Sequence, residues 1–162
     1  MNHNSPVADS LVTDEIRADV ASKYLSPSAD QLAAVTDWVC RFAARWQKPD
    51  ADTLSDLMHP DTRNLIPPMT APADREGVIE HFRQVIRQFP NLRIEIIRWA
   101  PTGDAVMIEW LATVTVGREQ LSWRGVDRIC LRGDRTYEGE VYWDTRQVAE
   151  RIAEARTAVA AD

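Results

Sequence analysis

A chain of 162 residues, 44% hydrophobic and 27% charged, has the length and balance of one folded domain with a sizeable core. Its net charge of −6 argues against nucleic acid as a partner, since that would need a clustered basic surface. No apolar run reaches the ~18 residues of a membrane span, and MNHNSPVADS lacks the basic and apolar regions of a signal peptide, so the expectation is a cytoplasmic protein with no membrane partner.

In chain order, Met1 to about Ser10 is polar and aperiodic and is expected to be disordered. Leu11–Leu25 can form a helix with Leu11, Ile16, Val20 and Tyr24 loosely on one side. Ser26-Pro27-Ser28 breaks it and supplies an N-cap for a stronger helix over Ala29–Gln47, where Leu32, Val35, Trp38, Val39, Phe42 and Trp46 recur at helical spacing. Asp52–Met58 reads as a short helix, His59-Pro60-Asp61 as a turn, and Thr62–Ile66 as a short strand closed by Pro67-Pro68. Asp74 caps a helix over Arg75–Gln88 whose apolar face runs from Val78 to Phe89, with His81 beside it.

The period then changes. Leu92–Ala100 and Val106–Val116 are strands, joined by a turn at Pro101-Thr102-Gly103-Asp104. After Gly117-Arg118-Glu119 comes WRGVDRICL, Trp123–Leu131, in which Trp123, Gly125, Asp127, Ile129 and Leu131 share the more apolar face. A carboxylate at the centre of such a face costs several kcal/mol unless it is paired, hydrogen-bonded or protonated, which makes Asp127 the foremost candidate for chemistry. Tyr137–Asp144 is the last strand, and a helix over about Thr145–Ala160 ends the chain. Helices followed by a strand meander predict an α+β fold, a curved antiparallel sheet forming a cone around helices, with Gly125 and Gly139 as places for a bend or bulge. The expected divisions are 1–28, an N-terminal extension that is partly disordered or helical; 29–145, the α+β barrel domain; and 146–162, a C-terminal helix.

Three fragments carry a family resemblance: DREGVIEHF (Asp74–Phe82), GVDRICLRGDR (Gly125–Arg135) and VYWD (Val141–Asp144). In this order and spacing, over about Gln31–Asp144, the chain resembles the nuclear transport factor two-like superfamily, and within it the SnoaL-like polyketide cyclases and ketosteroid isomerases. The resemblance to the isomerases places Asp127 on the acid that, held protonated by an apolar site, donates to the substrate oxyanion. Trp143 falls on an aromatic of the same pocket. The oxyanion tyrosine falls on Phe42 and the proton-shuttling aspartate on Ile66, so isomerase chemistry does not transfer. The histidine that assists the strand aspartate in the cyclases falls on Thr113 or a neighbour. The Asp-Arg-Asp set of limonene epoxide hydrolases falls on Met107, Glu109 and Val141. His81 replaces an aromatic near the oxyanion site; from there it could reach Asp127, which would orient the ring and raise its pKa.

Trp110, Trp123 and Trp143 lie on the face assigned to the cavity, and large aromatics around one acid describe a pocket for an apolar cyclic ligand. Asp127 and His81 are thus the candidate catalytic residues, and Phe42, Ile66, Phe82, Trp110, Trp123 and Trp143 the candidate substrate-binding ones. Glu109 should point to the outer sheet face, within reach of Arg124 and Arg128. His59 reads as a surface residue, and Cys40 and Cys130, too far apart for metal or redox spacing, as reduced thiols. No metal or organic cofactor is implied. The expected function is acid/base chemistry on a small polyketide- or terpenoid-like molecule by a cyclase, isomerase, dehydratase or epoxide-opening enzyme. A non-catalytic hydrophobic-ligand-binding module and a structural dimerisation domain are the alternatives. An open pocket with a second titratable group near the Asp127 carboxyl would favour the enzyme, Asp127 alone the binding module, and a filled cone the structural domain. The resemblance implies a homodimer through the outer sheet face.

Overall fold

The computed structural model describes residues 12–160, so the expected disorder of Met1–Ser10 lies outside the described residues. Its elements are α1 (Asp14–Ser22), α2 (Ala29–Gln47), α3 (Ala51–Ser55), β1 (Met58–Leu65), α4 (Arg75–Gln88), β2 (Arg93–Thr102), β3 (Ala105–Val116), β4 (Glu119–Arg132), β5 (Arg135–Tyr142) and α5 (Thr145–Ala160).

The strands form one sheet in the order β1-β5-β4-β3-β2. Four are an antiparallel meander, but β1 joins β5 in parallel, so the α+β cone expected from the sequence is built on a mixed sheet that stays open between β1 and β2. Each meander turn is a two-residue loop led by a glycine: Gly103, Gly117 and Gly133 hold φ of +67°, +61° and +63°. Glycine at the first loop position suits the tight hairpin whose twist matches that of the strands it joins.

Capping fixes the helix starts. The Ser28 hydroxyl accepts from the Gln31 backbone N–H while the Gln31 side chain accepts from Ser28 N–H, a reciprocal capping box. The Asp74 carboxylate accepts from Gly77 N–H at the head of α4. The stripe of α2 is buried as its spacing predicts, except that Leu32, in the first turn, is 42% exposed. Ile16 and Val20 of α1, and Tyr24 beyond its end, are exposed, and nothing on that helix is buried.

Two local expectations are corrected. His59-Pro60-Asp61 belongs to β1 instead of a turn. Proline is tolerated there because β1 is an edge strand whose register with β5 shifts between Met58 and Arg63, so no ladder bond is demanded of Pro60. Gly125 and Gly139 sit in unbroken register, opposite Trp110 and Ile129; the irregularities of the meander fall at Ile96/Arg98 in β2 and at Cys130/Leu131 in β4. What the two glycines supply instead is space for neighbouring side chains.

The inner sheet face packs against α2, and the core gathers Trp38, Val39, Phe42 and Trp46 from the helix with Ile108, Ala112, Val114 and Leu121 from the sheet. On the outer face Glu109 takes Arg98 at 2.7 Å and Arg124 at 2.8 Å, while Arg128 pairs with Glu138, across the β4–β5 ladder, and not with Glu109.

Candidate active site

Between the inner sheet face and α4 the cone holds a cavity of about 410 Å³. A filled cone is therefore not what this sequence makes. Phe82, Val85 and Ile86 of α4 and Phe89 at its C-cap pack on the core yet stay only half-buried, and Phe82, Val85 and Phe89 line this space. All eight candidate residues, Asp127, His81, Phe42, Ile66, Phe82, Trp110, Trp123 and Trp143, line the same cavity.

Asp127 sits in mid-β4, paired with Ile108 on one side and Val141 on the other, and is 6% exposed. Its Oδ1 accepts a hydrogen bond from Trp110 Nε1 at 2.7 Å. Burial pushes the carboxyl up to about 7, outweighing the Trp110 N–H, which pulls the other way. Desolvation dominates because a single neutral donor replaces the several waters an ionised carboxylate would hold.

Gly125 makes that hydrogen bond geometrically possible. A Cβ on Gly125 would lie 2.2, 2.4 and 2.8 Å from three atoms of the Trp110 ring. The indole therefore lies over the bare backbone of its register partner, and its N–H reaches the carboxyl two residues further along β4. The sequence placed Trp110 in the wall; its role as the donor that orients Asp127 needed the register. Trp123 and Trp143 stack across the same wall, with centroids 5.9 Å apart and planes 28° apart.

His81 lines the cavity from α4, half-buried, its ring 6.0 Å from that of Phe82. It makes no hydrogen bond or ion pair with Asp127 among the described residues, and burial lowers its pKa. The expected His–Asp contact, and the raised histidine pKa it would bring, are thus corrected: the two groups occupy different walls of one cavity, and nothing offsets the desolvation of the ring.

Sequence reasoning missed Asn64. It is 7% exposed on β1 and lines the cavity, with Oδ1 3.3 Å from the Thr62 hydroxyl. The available signal was alternation: Thr62 and Asn64 fall on one face of a strand whose inner side is buried, and two inward polar side chains in succession are uncommon. His59, only part-exposed, sits outside the cavity lining, with its ring 6.0 Å from that of Tyr137. No group of three or more His, Cys, Asp or Glu side chains with metal-holding geometry occurs among the described residues. No helix among them is long and apolar enough to cross a membrane.

A model of the SnoaL-like domain matches residues 39–139, which takes in the cavity walls from Phe42 to Gly139. The chain belongs to the SnoaL-like domain family. Among solved structures, this SnoaL-like chain is similar to a protein of Jannaschia sp. CCS1, named provisionally a SnoaL-like polyketide cyclase, at TM-score 0.68 and 19% identity over 79% of this chain and 96% of that one. It is similar to IdmH of Streptomyces antibioticus, provisionally a polyketide cyclase, at TM-score 0.64 and 20% identity over 73% of this chain and 97% of that one. A protein of Catenulispora acidiphila DSM 44928 with a ketosteroid isomerase-like fold, in complex with trimethylamine, gives TM-score 0.63 and 18% identity over 72% and 92%. At these identities the structural likeness establishes the fold and leaves chemistry to the residues. No curated protein matches the chain significantly.

Proposed function

We propose that this SnoaL-like chain is an enzyme that moves a proton on a small apolar, polyketide- or terpenoid-like ring compound, with Asp127 as the proton-transferring group. The observation that carries it is a carboxyl in the wall of an open apolar cavity, poised at about 7 by burial. An acid with a pKa near working pH is present in both forms, so it can take a proton from one position of a bound molecule and return it to another. The Trp110 N–H holds Oδ1, which leaves Oδ2 to face the substrate. Cyclisation, isomerisation, dehydration and epoxide opening all include such a transfer. Membership of the SnoaL-like family and the cyclase names of its structural neighbours support this class of small-molecule chemistry. His81, neutral near pH 7, would act from the α4 wall through the bound molecule, as an acceptor or donor and not as a direct partner of Asp127. Phe42, Ile66, Phe82, Trp110, Trp123 and Trp143 would shape the site and exclude water.

A specific observation favours a second reading: among the described residues no titratable side chain touches the Asp127 carboxyl, as a ligand-binding module with a single polar anchor would have it. One experiment separates the two. Deuterium uptake at C1 of 2-tetralone, a ring ketone with acidic α-protons, is followed by NMR in D₂O. The enzyme reading expects uptake accelerated by wild-type protein and lost in Asp127→Asn. Binding of the ketone with no acceleration would support the binding module.

A further inference from the structure

We infer that the molecule this cavity takes is two-ended: a flat apolar body with an oxygen at each end, one end held at Asp127 and the other at Asn64. This rests on the proposal that the cavity holds the reacting molecule, and it names that molecule's chemical class.

Asn64 is placed with unusual care for a residue outside the ladder of acid and tryptophans. Its register partner on β5 is Gly139, where a Cβ would come 2.7 Å from Asn64 Oδ1 and 3.0 Å from its Cγ. The amide therefore lies over a bare stretch of β5, as the Trp110 indole lies over Gly125. Both glycines clear the way for one polar side chain on the cavity wall. The amide Oδ1 is occupied by Thr62, whose single hydroxyl proton is shared between it and the Tyr137 carbonyl, each at 3.3 Å. The amide Nδ2 has no protein partner among the described residues, and it is not sealed from cavity space. An amide N–H₂ that opens on the cavity and is not used by the protein is a ready donor to an oxygen of a molecule bound there. Gln84 and Gln88, the other amides on the lining, lie on the exposed side of α4, and Gln84 already donates to Glu80.

The register sets the spacing. Asn64 lies in the row of Gly139 and Ile129, and Asp127 lies two residues along β4 from Ile129. Two strand spacings across and two residues along put the two Cα atoms about 12 Å apart. With both side chains leaning over the wall and a hydrogen bond at each end, about 6–9 Å remains between the ligand's two polar atoms. That is the span of a two-ring system. The wall between, Ile129 and Val141, is apolar, and Trp143 adds an aromatic surface beside it.

The test compares naphthalene-2,6-diol with 2-naphthol by calorimetric titration of the full chain. A hydroxyl suits Asn64 because it can give or accept. Wild type is expected to bind the diol about 10-fold tighter than 2-naphthol, the worth of one buried hydrogen bond. Asn64→Leu should erase that preference while the 2-naphthol Kd stays within about 2-fold, since a neutral change of similar size at the far end leaves the Asp127 end alone. Gly139→Ala should erase it as well, by displacing the amide without removing it, and serves if the leucine variant does not fold. Binding of 2-naphthol with no diol preference in wild type, or a preference that survives both variants, overturns the two-ended inference alone. Failure of both naphthols to bind wild type overturns it together with the proposal that the cavity takes apolar rings.

Discussion

An ionised Asp127 would have one N–H donor in place of a hydration shell, so its folded pKa, about 7, stands well above the ordinary carboxylate value. The folded state then holds a proton that the unfolded state has released between about pH 4 and 7. Stability contributed by the protonated form is full below about 4 and is lost as pH rises to 7, on the order of 4 kcal/mol in all. Asp127→Asn, which keeps an oxygen for Trp110, should be at least as stable as wild type at pH 8 and lack this slope; urea melts at pH 5 and 8 check both. Its proton-transfer rate should fall at least ~100-fold, the usual contribution of a positioned acid or base. Gly125→Ala drives a methyl into the indole and should lose about 1–3 kcal/mol, with the Asp127 pKa moving because its donor moves. A Gly125→Ala protein with wild-type Tm would show that the indole is not held where the structure puts it. Asp127 and the tryptophans were legible in the sequence because alternation alone puts them on one face. Asn64 and the donor role of Trp110 were not, because each depends on which residue lies opposite across a strand pair.

Among the elements, α2 and α4 were legible, since caps and 3.6-residue spacing are local signals, and α5 was legible in outline as the stretch that follows the last strand. The strand ends were not. β4 begins at Glu119 instead of Trp123, and β1 takes in Pro60, because pairing and edge position decide whether a proline or a polar stretch extends a strand. The expected contact of His81 with Asp127 failed for a similar reason: helix periodicity places His81 on a face but says nothing of the cavity's width. The capping box at the head of α2 gives a direct check on the element that floors the core. Ser28→Ala should cost about 1 kcal/mol, read as a lowered urea midpoint with unchanged slope. Ile16→Ser on α1, an exposed position, should shift stability by no more than about 0.5 kcal/mol.

At the scale of the molecule, an open mixed sheet and its helices enclose a space of about 410 Å³, and every candidate residue borders it. The outer sheet face is left with Met107, Leu111 and Val126 half-covered and Tyr142 49% exposed among ion pairs. We propose that the homodimer expected from the family resemblance forms through that face. Light scattering should give twice the 18.4 kDa chain mass, and Tyr142→Lys should reduce it; a monomer in wild type would remove the dimer. The cone was legible as a whole because the change from helical to strand period is global; its cavity was expected from the aromatics around one acid, but the filled alternative stayed open because the same apolar residues could have packed it shut. The most direct measurement is the pH titration of the Asp127 carboxyl by ¹³C NMR, assigned through the signal missing from Asp127→Asn. A midpoint near 7 is the predicted result, and a midpoint near 4 would mean that the carboxyl is solvated and always ionised at working pH, which contradicts the proton-transfer role.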